Sequence, residues 1–325
     1  MKLIIQIPCL NEAKTLGIAL AELPRSVPRI DKVEILIVDD GSTDDTVAVA
    51  RAAGVDHIVR HPANFGLARA FMTGLDASLK LGADIIVNTD ADNQYCAADI
   101  PALVAPILEG RAEYVIGTRP IARIEHFSPV KKFLQKLGSY VVRRISGTRV
   151  EDAPSGFRAL SRDAAMRMNV FNRYTYTLET IIQAGYKNIP ILCVPVRVNA
   201  DLRPSRLVKS ISRYIQRSIF TMIRIFVVYR PFKFFFSIGT VFFLAGFLLG
   251  CRFLWYWLAG QGDGKTQSLI LAAVLMLTGV ISGMMAFMAD LLSVNRQLLE
   301  DIQYRQRRNC FDPMPPCEKK MQKKA

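Results

Sequence analysis

The chain has 325 residues, 51% of them hydrophobic, and 42 Lys+Arg against 28 Asp+Glu give a formal net charge of +14. That length and apolar content exclude a disordered tail and a disulfide miniprotein. The charge is graded: 10 basic and 16 acidic side chains in residues 1–118 (−6), 14 and 5 in 119–200 (+9), 18 and 7 in 201–325 (+11), which points to two kinds of site.

The N-terminus is apolar for only a few residues before Pro8, too short for a signal peptide, and reads as a first strand. Residues 3–7, 33–38, 84–89 and 114–117 have strand character, with helices expected at roughly 12–23, 44–53, 66–81 and 98–109. This β/α alternation predicts a doubly wound, mostly parallel sheet, with ligands bound at the carboxyl ends of its strands. From 119 to 200 the pattern is less regular: a basic helix near 129–145, a loop, a helix near 176–184 and a strand near 189–198.

Beyond residue 200 the composition changes. Leu207, Ile211, Tyr214, Ile215, Ile219, Met222 and Phe226 recur at helical spacing among Lys209, Arg213, Arg217 and Arg224, the pattern of a basic amphipathic helix lying in a membrane interface. Residues 232–258 are apolar except for Lys233 and Arg252, and 268–289 carry no charge. At ~1.5 Å per residue the second run spans about 33 Å, enough for a hydrocarbon core of about 30 Å. Two membrane spans joined by a turn at 260–267 are therefore expected. Basic residues crowd before the first span and after the second (Arg296, Arg305, Arg307, Arg308, Lys319, Lys320, Lys323, Lys324), which puts both ends in the cytoplasm. The pairs Gly246/Gly250 and Gly279/Gly283 suit close helix packing, within the hairpin or in a homo-oligomer. Six scattered cysteines make no zinc-type pairing and read as reduced thiols. His57, His61 and His126 are not clustered and receive no role.

The chemistry is carried by acidic strand tips. Asp90-Ala91-Asp92 follows an apolar strand, and two carboxylates at that spacing suit Mg²⁺ or Mn²⁺ bridging to a diphosphate. Alone this is a common turn sequence. Its weight comes from Pro8-Cys9-Leu10-Asn11-Glu12 after the first strand and Val38-Asp39-Asp40-Gly41-Ser42-Thr43-Asp44 after the second, where two successive carboxylates exceed what helix capping needs.

With Asn64-x-Gly66, Asp90-x-Asp92-x-Gln94, Gly117-Thr118-Arg119, Asp152 with Ser155-Gly156-Phe157-Arg158, and Arg203-x-Ser205-Arg206, these residues resemble glycosyltransferase family 2 enzymes of GT-A fold. Within it they are similar to the polyprenyl-phosphate glycosyltransferases, the dolichyl-phosphate mannose synthase-like group. The resemblance implies a GT-A Rossmann-like α/β domain over residues 1–200, an amphipathic interfacial helix over 201–231, two transmembrane helices over 232–292 and a basic cytoplasmic tail over 293–325. It implies that Pro8, Leu10, Glu12, Val38, Asp40, Thr89, Asp90 and Ala91 line the nucleotide pocket. Asp90, Asp92 and Gln94 would hold Mg²⁺ or Mn²⁺ with the diphosphate. Arg119, Lys131, Arg203, Ser205 and Arg206 would hold the acceptor lipid phosphate, and Asp92, Arg119 and Asp152 would serve the transfer. The family often has Arg at the position of Lys131 and a small hydroxyl residue at that of Gln135.

The implied enzyme moves a sugar, with inversion, from a nucleotide sugar to a polyprenyl phosphate at the cytoplasmic face of a bacterial inner membrane. A lipid phosphate with a second pKa of about 6 needs no general base near pH 7, so Asp152 is expected to organise the acceptor loop and Arg158. A sugar-hydroxyl or glycolipid acceptor, with Glu151 or Asp152 as base, is one alternative. A non-enzymatic membrane-anchored scaffold is another. Nucleic acid is not expected as a partner, because the basic residues sit beside the spans, where topology and anionic lipid account for them.

Overall fold

The computed structural model describes residues 1–120, 129–170, 175–199, 220, 223–224, 226–260 and 266–311, apart from the side chains of 129–136. By contacts the chain divides into two units, Met1–Gln216 with Ile302–Ala325, and Arg217–Asp301.

The first unit is built on β1 (Lys2–Cys9), whose residues from Leu3 onward are all buried. A strand apolar on both faces belongs inside a parallel sheet covered by helices. β2 (Lys32–Asp39) pairs with it in parallel from Lys2↔Lys32 to Cys9↔Asp39, so both strands end at one edge. β4 (Ile85–Asn88) lies parallel on the other flank of β1, and β3 (His57–Arg60) extends the sheet beyond β2. With β5 (Tyr114–Thr118), β6 (Arg158–Ser161) and β7 (Ile191–Pro195) the order is β3-β2-β1-β4-β6-β5-β7. Only β6 runs against its neighbours β4 and β5. The connections carry α1 (Ala13–Glu22), α2 (Thr46–Ala52), α3 (Leu67–Lys80), α4 (Ile100–Leu108), α5 (Pro129–Ser146), α6 (Arg162–Arg167) and α7 (Thr177–Tyr186). Leu3, Ile5, Ile7, Ile35, Val87 and Leu103 lie in one buried core, each such side chain contributing ~1.5–3 kcal/mol by leaving water. The expected mostly parallel α/β sheet is present; β3 and β6 are the strands that periodicity did not reveal.

Two long helices follow, α8 (Pro231–Leu258) and α9 (Thr266–Phe311), both apolar and long enough to cross a membrane. In the second unit large side chains such as Leu248 and Trp255 are 67% and 75% exposed, which suits a lipid surround. α8 and α9 approach through small residues: a Cβ at Gly279 would lie 2.8 Å from the Gly239 oxygen, and one at Gly246 would lie 2.7 Å from the Ala272 oxygen. Of the expected pairs, Gly246 and Gly279 therefore serve the hairpin; a Cβ at Gly250 or Gly283 would meet nothing within 4 Å, although the Gly283 nitrogen lies 3.2 Å from where a Cβ of Gly239 would stand. The amphipathic segment expected over 207–226 lies mostly outside the described residues.

α9 continues through Phe311, and its residues from Ile302 onward group with the first unit. Tyr304 Oη donates to Asp163 Oδ1 at 2.6 Å. Arg307 Nη1 donates to the carbonyls of Met166 (3.1 Å) and Met168 (2.6 Å) at the end of α6, while Nη2 is 2.9 Å from the Asp76 carboxylate on α3.

Candidate active site

The carboxyl edge of β1, β2, β4 and β5 gathers the acidic and basic side chains. At the tips of β1 and β2 the loops are stitched together: the Asn11 amide donates to Ser42 Oγ (2.9 Å), the Thr43 amide to Asn11 Oδ1 (2.8 Å) and the Glu12 amide to Thr46 Oγ1 (2.8 Å). Glu12 is buried, its carboxylate accepting from Thr15 Oγ1 at 3.0 Å. Pro8 pairs with Val38 in register, and Asp39 is fully buried, with Oδ1 accepting from the Ser42 amide at 3.1 Å. Arg60 Nε lies 3.1 Å from Asp39 Oδ2.

Asp40 has a different surrounding. Oδ1 takes the His61 Nδ1 contact at 2.7 Å and the Phe65 amide at 3.0 Å, and Oδ2 accepts from the Gly66 amide at 2.8 Å. His61, whose Nε2 reaches Thr73 Oγ1 at 3.0 Å, thus ties the β2 tip to α3 through Asp40. Gly41 permits this closeness: its φ is +77°, and a Cβ there would lie 2.6 Å from the Ala63 carbonyl carbon. His61, given no role from sequence, is a structural partner of an expected nucleotide-pocket residue.

Past β4, Thr89 and Ala91 are buried, and Asp90 and Asp92 sit on the turn, with Asp92 Oδ1 accepting from the Gln94 amide at 3.3 Å. Burial, then the negative charge of Asp92, pushes Asp90 up to about 7, opposed by Arg119 and Arg158. Such a pair is relieved by a cation, and carboxylate and amide oxygens are the donors that Mg²⁺ and Mn²⁺ accept. No group of three His, Cys, Asp or Glu that could hold a metal exists among the described residues. The two carboxylates and the Gln94 amide oxygen are donors of the type that such an ion takes.

Arg119, just past β5, is buried and bidentate on Asp152: Nε to Oδ2 at 2.7 Å and Nη2 to Oδ1 at 3.0 Å. Its Nη1 reaches Gln94 Oε1 at 3.5 Å and its guanidinium lies 5.9 Å from the centre of the Tyr95 ring. Burial works against its charge, but Tyr95 and Asp152 outweigh it and raise its pKa. Asp152 thus organises Arg119, not Arg158 as expected. Arg158 is also fully buried, yet it binds the Ser155 and Ala153 carbonyls, the Thr177 carbonyl, Thr180 Oγ1 and the Tyr114 hydroxyl.

Gly156 lies against Asp90: a Cβ there would sit 2.7 Å from Asp90 Oδ2. Its amide donates to Tyr95 Oη at 2.9 Å and its carbonyl accepts from Asn88 Nδ2 at 2.9 Å. Asn88 and Tyr95, which no local motif reveals, join Gly156 and Arg158 of the Ser155–Arg158 motif in a polar floor under the carboxylates. Lys131 falls in α5 with its side chain outside the described residues, and Arg203, Ser205 and Arg206 also lie outside them.

The chain resembles known proteins. An enzyme from Methanococcus voltae, UDP-N-acetylglucosamine–dolichyl-phosphate N-acetylglucosaminyltransferase, is 30% identical over 213 residues, covering 59% of this chain and 83% of its own. The undecaprenyl-phosphate mannosyltransferase of Micrococcus luteus is 29% identical over 169 residues, covering 50% and 68%. Among solved structures, glucosyl-3-phosphoglycerate synthase from Mycobacterium tuberculosis, in complex with Mn²⁺, UDP and glucosyl-3-phosphoglycerate, superposes with a TM-score of 0.53 at 23% identity, covering 68% of this chain and 79% of its own. That likeness establishes a shared fold. Glycosyl transferase family 2 matches residues 4–168, from β1 to the end of α6, and the chain belongs to this family.

Proposed function

We propose that the protein is a membrane-anchored, inverting glycosyltransferase that moves a sugar from a nucleotide sugar to a polyprenyl phosphate, undecaprenyl or dolichyl phosphate. The observation that carries this is the buried Arg119–Asp152 pair beside Asp90 and Asp92: a fixed cation stands next to the carboxylate pair, and Asp152, the acid best placed to act as a base, is held as a counter-ion. With Asp152 so engaged, the site suits an acceptor that arrives ionised, as a phosphate monoester does near pH 7. The names of the Methanococcus voltae and Micrococcus luteus relatives support the same acceptor class.

Pro8, Leu10, Glu12, Val38, Asp40, Thr89, Asp90 and Ala91 form the nucleotide side of the site. Asp90, Asp92 and Gln94 would hold Mg²⁺ or Mn²⁺, which when bound supplies charge neutralisation for the departing diphosphate. Arg119 orients the acceptor phosphate toward the anomeric carbon, with Lys131, Arg203, Ser205 and Arg206 proposed to join it. A phosphate oxygen of the lipid forms the new bond to that carbon as the bond to the nucleotide diphosphate breaks, its electron pair leaving with the diphosphate. α8 and the apolar part of α9 anchor the chain in the membrane, with the catalytic domain and both ends on the cytoplasmic side of a bacterial inner membrane.

The test is a panel assay: purified full-length protein, undecaprenyl phosphate, Mn²⁺ or Mg²⁺ and a series of UDP- and GDP-sugars, repeated with a chelator. Labelled lipid that disappears with the chelator is the expected result. Transfer to a sugar hydroxyl, or binding of a nucleotide sugar without turnover, would overturn it.

A further inference from the structure

Arg158 is an arginine with no exposed surface at the start of β6, and its five hydrogen bonds all go to uncharged oxygens. Burying a guanidinium without a carboxylate on it is costly unless its donors are fully used. The use made of them is specific. Nε donates to the Ser155 carbonyl at 2.7 Å and Nη2 to the Ala153 carbonyl at 2.9 Å, gripping both ends of one short loop segment. Nη1 reaches Thr180 Oγ1 at 2.7 Å and the Thr177 carbonyl at 3.0 Å, anchoring that grip on α7. The Tyr114 and Tyr176 rings lie 5.7 and 5.5 Å from the guanidinium carbon. A planar fork with donors on three nitrogens reaches these acceptors, Nη1 sharing its two hydrogens among three; a lysine has three donors at one point.

The gripped segment joins the two halves of the site. At one end Asp152 binds Arg119, and at the other Gly156 is packed against the Asp90 carboxylate. We infer that Arg158 is a positioning residue for the transfer: by clamping the Ala153 and Ser155 carbonyls it sets the distance between the donor-side carboxylates and the acceptor-side Arg119. This rests on the proposed use of a divalent cation at Asp90 and assigns Arg158 a role through the loop, without contact to substrate. Of the nucleotide side, Pro8, Glu12, Val38 and Asp40 stand at the β1 and β2 tips, away from the clamped loop, whereas Asp90 lies against its Gly156 end.

The experiment compares wild type with Arg158→Lys, Arg158→Gln and the milder Thr180→Val, all as full chains in detergent. Calorimetric titration measures UDP and GDP binding with and without Mn²⁺, alongside steady-state transfer to undecaprenyl phosphate with the nucleotide sugar that wild type accepts. For Arg158→Gln, metal-free nucleotide affinity is expected to stay within about twofold, because the contacts at the β1 and β2 tips are untouched and Asp90 serves the diphosphate through the metal. The tightening of nucleotide binding by Mn²⁺ is expected to shrink about tenfold, as loss of a support behind metal ligands does. The value of kcat should fall about a hundredfold, the cost of misplacing reacting groups by about 1 Å. Arg158→Lys should recover part of both, and Thr180→Val, which stays folded if Arg158→Gln does not, should shift both in the same direction. A lowered melting temperature with Mn²⁺ tightening and kcat unchanged in the folded variants would overturn the assignment and leave Arg158 a core residue. Wild type that binds nucleotide no better with Mn²⁺ would instead overturn the metal part of the proposed function.

Discussion

Arg119 and Asp152 form a buried bidentate ion pair, 2.7 and 3.0 Å across its two bonds, between residues 33 positions apart. Breaking such a pair strands a buried charge, at a cost of about 3–5 kcal/mol. Asp152→Asn is therefore expected to lower the unfolding free energy on that scale and transfer by about a hundredfold. The pH–rate profile separates the two roles open to Asp152: an organiser leaves its shape unchanged, whereas a general base removes its acidic limb when mutated.

Asp92→Asn keeps the turn and removes one of two clustered negative charges. The protein is expected to fold with an unchanged circular dichroism spectrum while metal-stimulated transfer is abolished. Full activity across a Mn²⁺ titration would sink the assignment of Asp92 to the metal.

Gly156→Ala puts a methyl group 2.7 Å from Asp90 Oδ2. Overpacking of this kind costs about 1–3 kcal/mol, and here the group that must move is a proposed metal ligand, so activity should be lost beyond the loss of stability. Gly138→Ala in α5 is the matched control. A Cβ there meets nothing within 4 Å, so it should raise stability by about 0.4–1 kcal/mol and leave turnover alone.

His61→Ala removes one of the three partners that hold the Asp40 carboxylate. A buried group left short of a hydrogen bond costs about 1–3 kcal/mol. Because Asp40 holds the Phe65 and Gly66 amides, the loop entering α3 should loosen and nucleotide affinity should weaken with it, as calorimetry would detect.

Glu34 gives a pH signature far from the site. Burial favours its neutral form, but hydrogen bonds from Lys2, Lys32 and His57 overcome that and hold it at about 2, below an ordinary 4.5. A depressed carboxyl stabilises the fold above its unfolded pKa, and that contribution disappears as pH falls from about 4.5 through about 2. Glu34→Gln should be less stable at pH 7 and show a flatter loss of stability across that acid window in denaturant titrations.

Strands β1, β2, β4 and β5 are legible because each is a bounded apolar run, and the acids that follow them stand where a doubly wound sheet binds ligands. β3 and β6 are as short as β4 but lack its unbroken apolar run: β3 is bounded by His57 and Arg60, and β6 opens on Arg158, a residue that in isolation signals an exposed face. The partners that make burial of Arg158 tolerable lie 19 and 22 residues downstream in α7. Asp152 was expected to serve Arg158, its near neighbour in sequence, and serves Arg119 because β6 and β5 are adjacent in the sheet. Arg307, counted from sequence among the charges that set topology, is largely occupied with two carbonyls and Asp76.

The contact of Arg307 with Met166 spans 141 residues, and so does that of Tyr304 with Asp163. A ribosome adds roughly 5–20 residues per second, so the face of α6 stays bare for roughly 7–28 s after it leaves the tunnel. During that interval both apolar helices are made. The order of completion thus departs from the order in the chain: the family 2 domain begins first and is finished last, and its final closing step waits for the hairpin that follows it.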